Sequence, residues 1–325
     1  MVEVRRSNAA FCRECFPKVF TEQVRRAIRR FDMFDPSDRV LVAVSGGKDS
    51  LALWDVLLDL GYDTTGLYLG LGIGSYSDRS HEVAASFAEA RGVELVVVDL
   101  AERYGFDIPT AGAKGSRSTC AVCGLSKRYV FNASAVDGGF DVVATGHNLD
   151  DEAATLLGNT LPWNTEYIAR QSPALPAAHG LVKKVKPLHR VGELETAAYA
   201  FLRGIDYVIE ECPLVAGNTQ LRFKEAMNTI EATSPGTKAG FFLGFLDRGM
   251  PLFDKDRDLD VHACGSCARP TTGRFCAFCR ARAQILGERL VDDPAAADGE
   301  HEVREAVRAL ADEVMPVEIY GGAAP

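Results

Sequence analysis

Short, continuously apolar runs alternate along the first half of this chain with stretches whose apolar residues recur every three to four positions. The runs over 40–44, 65–69, 94–98 and 141–145 are short and lack a polar face, so they predict strands buried on both sides. Between and after them, 50–60, 79–91, 125–136 and 151–159 carry the helical period. This alternation predicts an α/β fold with a parallel sheet covered on both faces and ligands at the carboxyl ends of its strands. The loops over 45–50, 70–74 and 145–151 follow strands and should therefore converge. Further helices are predicted at 21–30, 191–203 and 221–232. Residues 163–190, proline-bearing and aperiodic, read as loop, and 236–260 are ambiguous. Past 290 the chain is Ala-rich and acidic, with one short helix predicted at 300–313.

A chain of 325 residues, 47% hydrophobic, holds ample material for a core and suggests about two domains, or one large domain with appendages. No apolar run is long enough to span a bilayer and no signal-peptide pattern opens the chain, which reads as cytoplasmic. Nine cysteines in such a protein point to metal or catalysis rather than disulfides. The net charge of −9 argues against a nucleic-acid partner until its distribution is considered. The segment from Val291 onward holds nine acidic residues against two arginines, whereas the first thirty residues hold eight Lys/Arg against three Glu. A second basic run spans 183–190. Local basic patches, rather than total charge, set a nucleic-acid footprint, although each run also reads as an ordinary solvated face.

Ser45, Gly46, Gly47, Lys48, Asp49 and Ser50 lie between the first predicted strand and the first predicted helix. A glycine turn here leaves backbone N–H groups without intrahelical partners, and with the helix dipole these bind an anion, usually phosphate. Lys48 adds a point charge, Ser45 and Ser50 add hydroxyls, and Asp49 adds a carboxylate suited to Mg²⁺. The spacing is not that of the Walker loop, which needs four residues between its first Gly and the Gly-Lys pair.

Cys264, Cys267, Cys276 and Cys279 form two Cys-x-x-Cys knuckles, the spacing of a closed tetrahedral Zn²⁺ site; rubredoxin-like iron is the rival metal. Cys12 and Cys15 are half such a site, open to a truncated zinc knuckle, a redox pair or two inert thiols. Cys120 and Cys123 stand at a helix start near Lys127 and Arg128, which should lower their thiol pKa values. With Cys212 they could hold a [4Fe–4S] cluster with one iron lacking a protein ligand, or Zn²⁺ with an open site. Asp150 and Asp151 open the helix after the fourth strand, where they read both as capping acids and as carboxylates near a phosphate or metal. His147 has no evident carboxylate partner, and packing is favoured for it over a general base; Gly146 is expected to offer backbone contact.

The loop sextet resembles the pyrophosphatase loop (PP-loop) of the N-type ATP pyrophosphatases. Together with the Cys12/Cys15 pair, Gly72 and Gly74, Cys120 to Arg128, Ala144 to Ala153, Arg203 to Ile205, Glu210 to Pro213 and the four C-terminal cysteines, it resembles the tRNA 2-thiouridine synthetase family of the TtuA type. The resemblance covers about residues 12–280. It implies that Ala43, Ser45, Gly47, Asp49, Ser50 and Gly146 lie in an ATP site. Cys120, Cys123 and Cys212 then hold an oxygen-sensitive [4Fe–4S] cluster, Lys127 and Asp151 belong to the ATP and adenylation site, and Cys264, Cys267, Cys276 and Cys279 hold Zn²⁺. The implied organisation is an N-terminal zinc-knuckle segment with a basic helix (1–30), an ATP pyrophosphatase domain (31–260), a zinc ribbon (261–290) and an acidic tail (291–325). The implied partners are tRNA and a ubiquitin-like sulfur carrier ending in a thiocarboxylate, and the implied assembly is a homodimer. The family has two N-terminal knuckles, so a further Cys-x-x-Cys is expected upstream of Met1.

The implied reaction adenylates a uridine C2 oxygen, releases pyrophosphate, and replaces AMP by sulfur, at T-loop uridine 54. The basic segments near 5–30 and 183–190 and the zinc modules would hold the tRNA. Thiolation of wobble uridine 34 or cytidine 32 shares this chemistry. A metabolite-directed ATP pyrophosphatase and a non-enzymatic zinc-ribbon RNA-binding module are the rivals of other classes.

Overall fold

The computed structural model describes residues 1–215, 219–253 and 260–291; the helix predicted at 300–313 lies outside them. The chain opens with a hairpin of β1 (Val2–Val4) and β2 (Ala9–Phe11), then α1 (Cys15–Arg30), β3 (Val40–Val44), α2 (Lys48–Asp59), β4 (Thr64–Gly70), α3 (Gly74–Arg91) and β5 (Leu95–Asp99). Next come α4 (Leu100–Tyr104), α5 (Ile108–Lys114), α6 (Thr119–Asp137), β6 (Val142–Thr145), α7 (Leu149–Thr160) and α8 (Thr165–Ala169). β7 (Ala174–Leu175), β8 (Lys183–Val185), α9 (Glu193–Arg203), α10 (Thr219–Thr233) and α11 (Thr237–Gly244) follow. A small hairpin of β9 (His262–Ala263) and β10 (Pro270–Thr271) leads into α12 (Ala277–Leu286).

The central sheet has the order β5-β4-β3-β6-β8-β7. All neighbours are parallel except β7, which runs antiparallel to β8 at the edge. β3 shows why the strands had to be buried on both sides. Val40, Val42 and Val44 face one core with Phe16, Phe20, Trp54 and Tyr199, while Leu41 faces the other with Leu67, Val122, Val130 and Phe278. Each such fully buried side chain contributes about 1.5–3 kcal/mol, so the sheet is held equally from both faces. Asp55, only 2% exposed, accepts hydrogen bonds from Tyr199 and Arg203, each at 2.8 Å, and pairs with Arg91, which ties α2, α3 and α9 together.

The four predicted strands are present, but several helices begin earlier than their apolar period. α1 starts at Cys15 rather than residue 21, and α6 at Thr119 rather than 125. The first turn of α6 is mostly small, so the period is silent there, whereas in α1 the buried Phe16 and Phe20 extend the apolar period of Val24 and Ile28 back past Pro17. The reading of 163–190 as loop is corrected: it contains α8, β7 and β8. β8 is three residues long and carries two lysines, too short to show an alternation.

The same segment narrows the expectation that 183–190 is a basic docking surface. Lys186 pairs with the buried Glu152 at 2.7 Å, Lys183 donates to the Asp32 carbonyl, and His189 is buried. Of the lysines and arginine of this run, only Lys186 has an ion pair among the described residues.

Candidate functional site

The phosphate-type loop leaves the carboxyl end of β3. Gly46 has φ +71°, and a Cβ there would meet the Ser80 carbonyl oxygen at 2.5 Å, so this position requires glycine for both conformation and space. Gly47 is the N-cap of α2 in extended conformation and offers no side-chain cap. The first amides of α2 are therefore left for an anion. Ser50 pins the loop, accepting from Ser45 N at 3.1 Å and donating to Gly47 O at 2.9 Å. Ala43 sits beneath the loop on β3, paired in register with Thr145 of β6.

β6 delivers the second wall. A Cβ on Gly146 would lie 2.8 Å from Ser50 N and 2.9 Å from the Asp49 carbonyl carbon. The β6–α7 turn thus reaches the loop only through a glycine. Asn148, fully buried, caps α7 by accepting from the amides of Asp150 and Asp151, while the Asp151 carboxylate accepts from Asn148 N at 3.1 Å. The Asn148 Nδ2 also donates to Asp49 Oδ1 at 3.0 Å, so one residue fixes Asp49 and Asp151 relative to each other. Asp150 turns away, accepting from Glu193 N at 2.8 Å and pairing with Lys238. His147 is exposed at the strand ends, Nδ1 2.8 Å from Thr145 Oγ1, rather than packed.

A charge network spans the mouth. Lys48 Nζ lies 2.9 Å from both Asp49 and Glu193, and Lys224 Nζ lies 2.9 Å from Asp151 and 2.8 Å from Glu193. Burial pushes the Glu193 carboxyl up, but hydrogen bonds from Lys224 and Lys48 outweigh it and hold the group at about 2. Burial raises Asp49 against the pull of Lys48. Sequence reasoning missed Asn148, Glu193 and Lys224. Asn148 was discoverable, since Asn three residues before an acid at a helix start is a capping box. Glu193 and Lys224 carry no local signal.

Beside the loop, a cavity of about 380 Å³ is lined by Tyr68, Gly70, Gly72, Ser77, His81 and Asp99 at the carboxyl ends of β4 and β5. That volume lies within the range of small-ligand sites, and the glycine motif at 72–74 shapes it.

Cys120 and Cys123 fall in the first turns of α6. The distant Cys212 comes near them, since Cys120 Sγ contacts the Leu214 carbonyl at 3.7 Å and Cys212 and Cys120 both act electrostatically on Cys123, although the three sulfurs are not drawn within ligand distance of one another as the four C-terminal ones are. All three thiols are partly buried. The expectation of a depressed thiol pKa is corrected for Cys123, where burial raises it and Lys127 only partly opposes. Three thiols and no fourth cysteine suit a polynuclear cluster with one iron lacking a protein ligand. Lys127 makes no ion pair with a described residue.

Cys264, Cys267, Cys276 and Cys279 bring their sulfurs within 4.8 Å of one another. The backbone amides of Cys276 and Cys279 donate to the sulfurs of Cys264 and Cys276 at 3.1 and 3.4 Å, which orients those sulfurs and disperses charge on them as in a metal knuckle. The donor set fits a closed tetrahedral metal. Cys12 and Cys15 are exposed beside the N-terminal hairpin, with no third ligand gathered near them among the described residues. No helix among the described residues is long and apolar enough to cross a membrane.

Comparison with known proteins places this geometry in context. The PP-loop domain family matches residues 19–224. The chain is 52% identical over 279 residues, 86% of its length and 87% of the relative's, to the tRNA-5-methyluridine(54) 2-sulfurtransferase of Thermus thermophilus. It is 42% identical, over 86% of its own length and 89% of the relative's, to the enzyme of that name from Pyrococcus horikoshii. In fold it is similar to the U34-tRNA thiolase NcsA from Methanococcus maripaludis, solved with its [4Fe–4S] cluster, with a TM-score of 0.76 and 23% identity over 90% of this chain and 95% of that one.

Proposed function

The chain belongs to the PP-loop family and, within it, to the tRNA 2-sulfurtransferases, and on that premise we propose that it thiolates C2 of the T-loop 5-methyluridine at position 54 in tRNA. The observation that carries the mechanism is the Asn148 bridge, which sets the carboxylates of Asp49 and Asp151 against one phosphate loop.

The free α2 amides and Lys48 hold the β- and γ-phosphates of ATP, and the hollow beside Gly72 takes the nucleoside. Asp49 and Asp151 offer oxygen ligands to Mg²⁺. The uridine C2 oxygen attacks the α-phosphorus and pyrophosphate departs, with its charge met by Lys48, the loop amides and Lys224. Adenylation makes a poor leaving group a good one. Lys127, unpaired, is available to the phosphate of the adenylated base. Cys120, Cys123 and Cys212 would hold a [4Fe–4S] cluster, which when bound supplies an iron without a protein ligand as a place for the incoming sulfur. The four C-terminal cysteines hold Zn²⁺ in a structural role, and Cys12 and Cys15 are half of a second such site.

A ubiquitin-like carrier thiocarboxylate is the sulfur donor, the enzyme works as a homodimer, and its setting is the cytoplasm. The test is mass spectrometry of tRNA nucleosides from a strain lacking the gene. Selective loss of 2-thio-ribothymidine is expected. Loss of a 5-substituted 2-thiouridine or of 2-thiocytidine instead would move the target to position 34 or 32, and unchanged thionucleosides would sink the reading.

A further inference from the structure

The link between α7 and β7 projects an aromatic tongue. Leu161, Trp163 and Tyr167 are 64%, 68% and 67% exposed, an unusual concentration within seven residues of a chain whose other tryptophan, Trp54, is fully buried.

The tongue is rigid. Trp163 has φ +53°, a strained conformation for a bulky residue. Hydrogen bonds hold it there: Trp163 N to Thr160 O at 3.0 Å, Asn164 N to Asn159 O at 2.9 Å and Thr165 N to Trp163 O at 2.8 Å. Buried Gln171 clamps the base of the tongue, accepting from Asn159 Nδ2 at 3.0 Å and donating to Glu152 O at 2.9 Å. Strain maintained by that many bonds to present a tryptophan to solvent calls for a partner.

Its chemistry is indicated by the cations beside it. Arg117, Arg128 and Lys184 make no ion pair or side-chain hydrogen bond with a described residue. Arg128 is electrostatically coupled to the others: burial and then Arg128 lower the Lys184 pKa, while burial lowers that of Arg128, with Tyr167 opposing and Arg117 adding to it. The tongue's acid, Glu166, is engaged and is not a free charge. Arg128 folds back over Gly124, its Nη1 3.3 Å from where a Cβ would stand, next to Cys123. Arg128 is thus coupled to Tyr167 and lies against the turn of α6 that carries Cys123.

We infer that this tongue receives the RNA: Trp163 and Tyr167 stack on bases of the opened loop while Arg117, Arg128 and Lys184 hold its phosphates. The inference rests on the tRNA reading above and deepens it. An enzyme that reaches C2 of a base must take that base out of its stack, and exposed aromatic rings beside unpaired cations supply the replacement.

The test titrates the full-length protein with an unmodified tRNA transcript. Since Trp54 is buried, emission from Trp163 should be quenched as RNA binds. Trp163→Ala and Tyr167→Ala should each weaken tRNA affinity about 5- to 150-fold, the range of one base–aromatic stack, and raise KM for tRNA more than they lower kcat. Trp163→Phe should restore most of the loss, and Arg128→Gln should reduce the salt slope of binding by about one. Wild-type affinity in both alanine variants, or emission unchanged at saturation, overturns the inference while a thiolating wild-type keeps the function. A wild-type protein that neither binds nor thiolates tRNA removes both.

Discussion

Glu193 Oε1 stands 2.9 Å from Lys48 Nζ, joining the start of α9 to the phosphate loop 145 residues earlier in sequence. Lys48 is held by Glu193, and Lys224 closes the network on the other side. The arrangement has a pH signature. The folded carboxyl is held at about 2 against an ordinary 4.5, so its stabilisation is fully present above the ordinary value. It is lost as pH falls from about 4.5 toward 2. Glu193→Gln should therefore flatten that part of the acid unfolding curve. Because the pair is partly exposed, solvent screening keeps the effect modest. An unchanged acid limb in the variant would show that Glu193 is not stabilised in this way.

Gly146→Ala should impair the enzyme through geometry alone. The added carbon would overlap Ser50 N and the Asp49 carbonyl, and backbone on both sides leaves no flexible atom to yield. A destabilisation of about 1–3 kcal/mol is expected, together with roughly a hundredfold loss of ATP-dependent pyrophosphate release, since catalytic geometry tolerates about an ångström. Wild-type release would show that the turn moves freely.

Cys212→Ser should abolish thiolation and iron retention while leaving the melting temperature near that of the unsubstituted protein. Cys212 lies in a loop at the edge of its core cluster rather than within the sheet. The measurement pairs iron content with thermal unfolding under anaerobic conditions. Normal iron and normal activity in the variant would remove Cys212 from the triad.

Cys264→Ser, or chelation of the C-terminal metal, should instead lower thermal stability by several degrees, because a structural metal contributes folding free energy directly. The loss should spread to α6. Tyr129 on that helix lies flat on Phe278 of α12, ring centroids 3.9 Å apart at 6°, and Arg269 grips Asp137 at 2.6 Å. Hydrogen exchange of α6 amides would report it; unchanged protection there would mean that the ribbon and the helix are uncoupled.

Much of the site was legible because its parts are local. The loop sextet, the paired knuckles, Gly146 and Asp151 each announce themselves within about ten residues, and the strands that aim them are apolar on both faces. The capping box of Asn148 was equally readable. Glu193 and Lys224 were not, since an acid at one helix start and a lysine within another helix look like solvated charges until packing sets them around Lys48. The basic run at 183–190 misled in part for the converse reason: its charge is real, but Lys183 and Lys186 are engaged by Asp32 and Glu152.

By itself the sequence determined what depends on neighbouring residues: the parallel α/β architecture, the phosphate loop, the paired cysteine motifs and the family to which they belong. Tertiary structure alone decided what depends on long-range contact. It brought Cys212 toward α6, placed Lys224 between Asp151 and Glu193, engaged Lys183 and Lys186 with Asp32 and Glu152, and left Trp163 exposed. Periodicity records which face of an element is apolar; which charges meet across elements is set only when those faces pack.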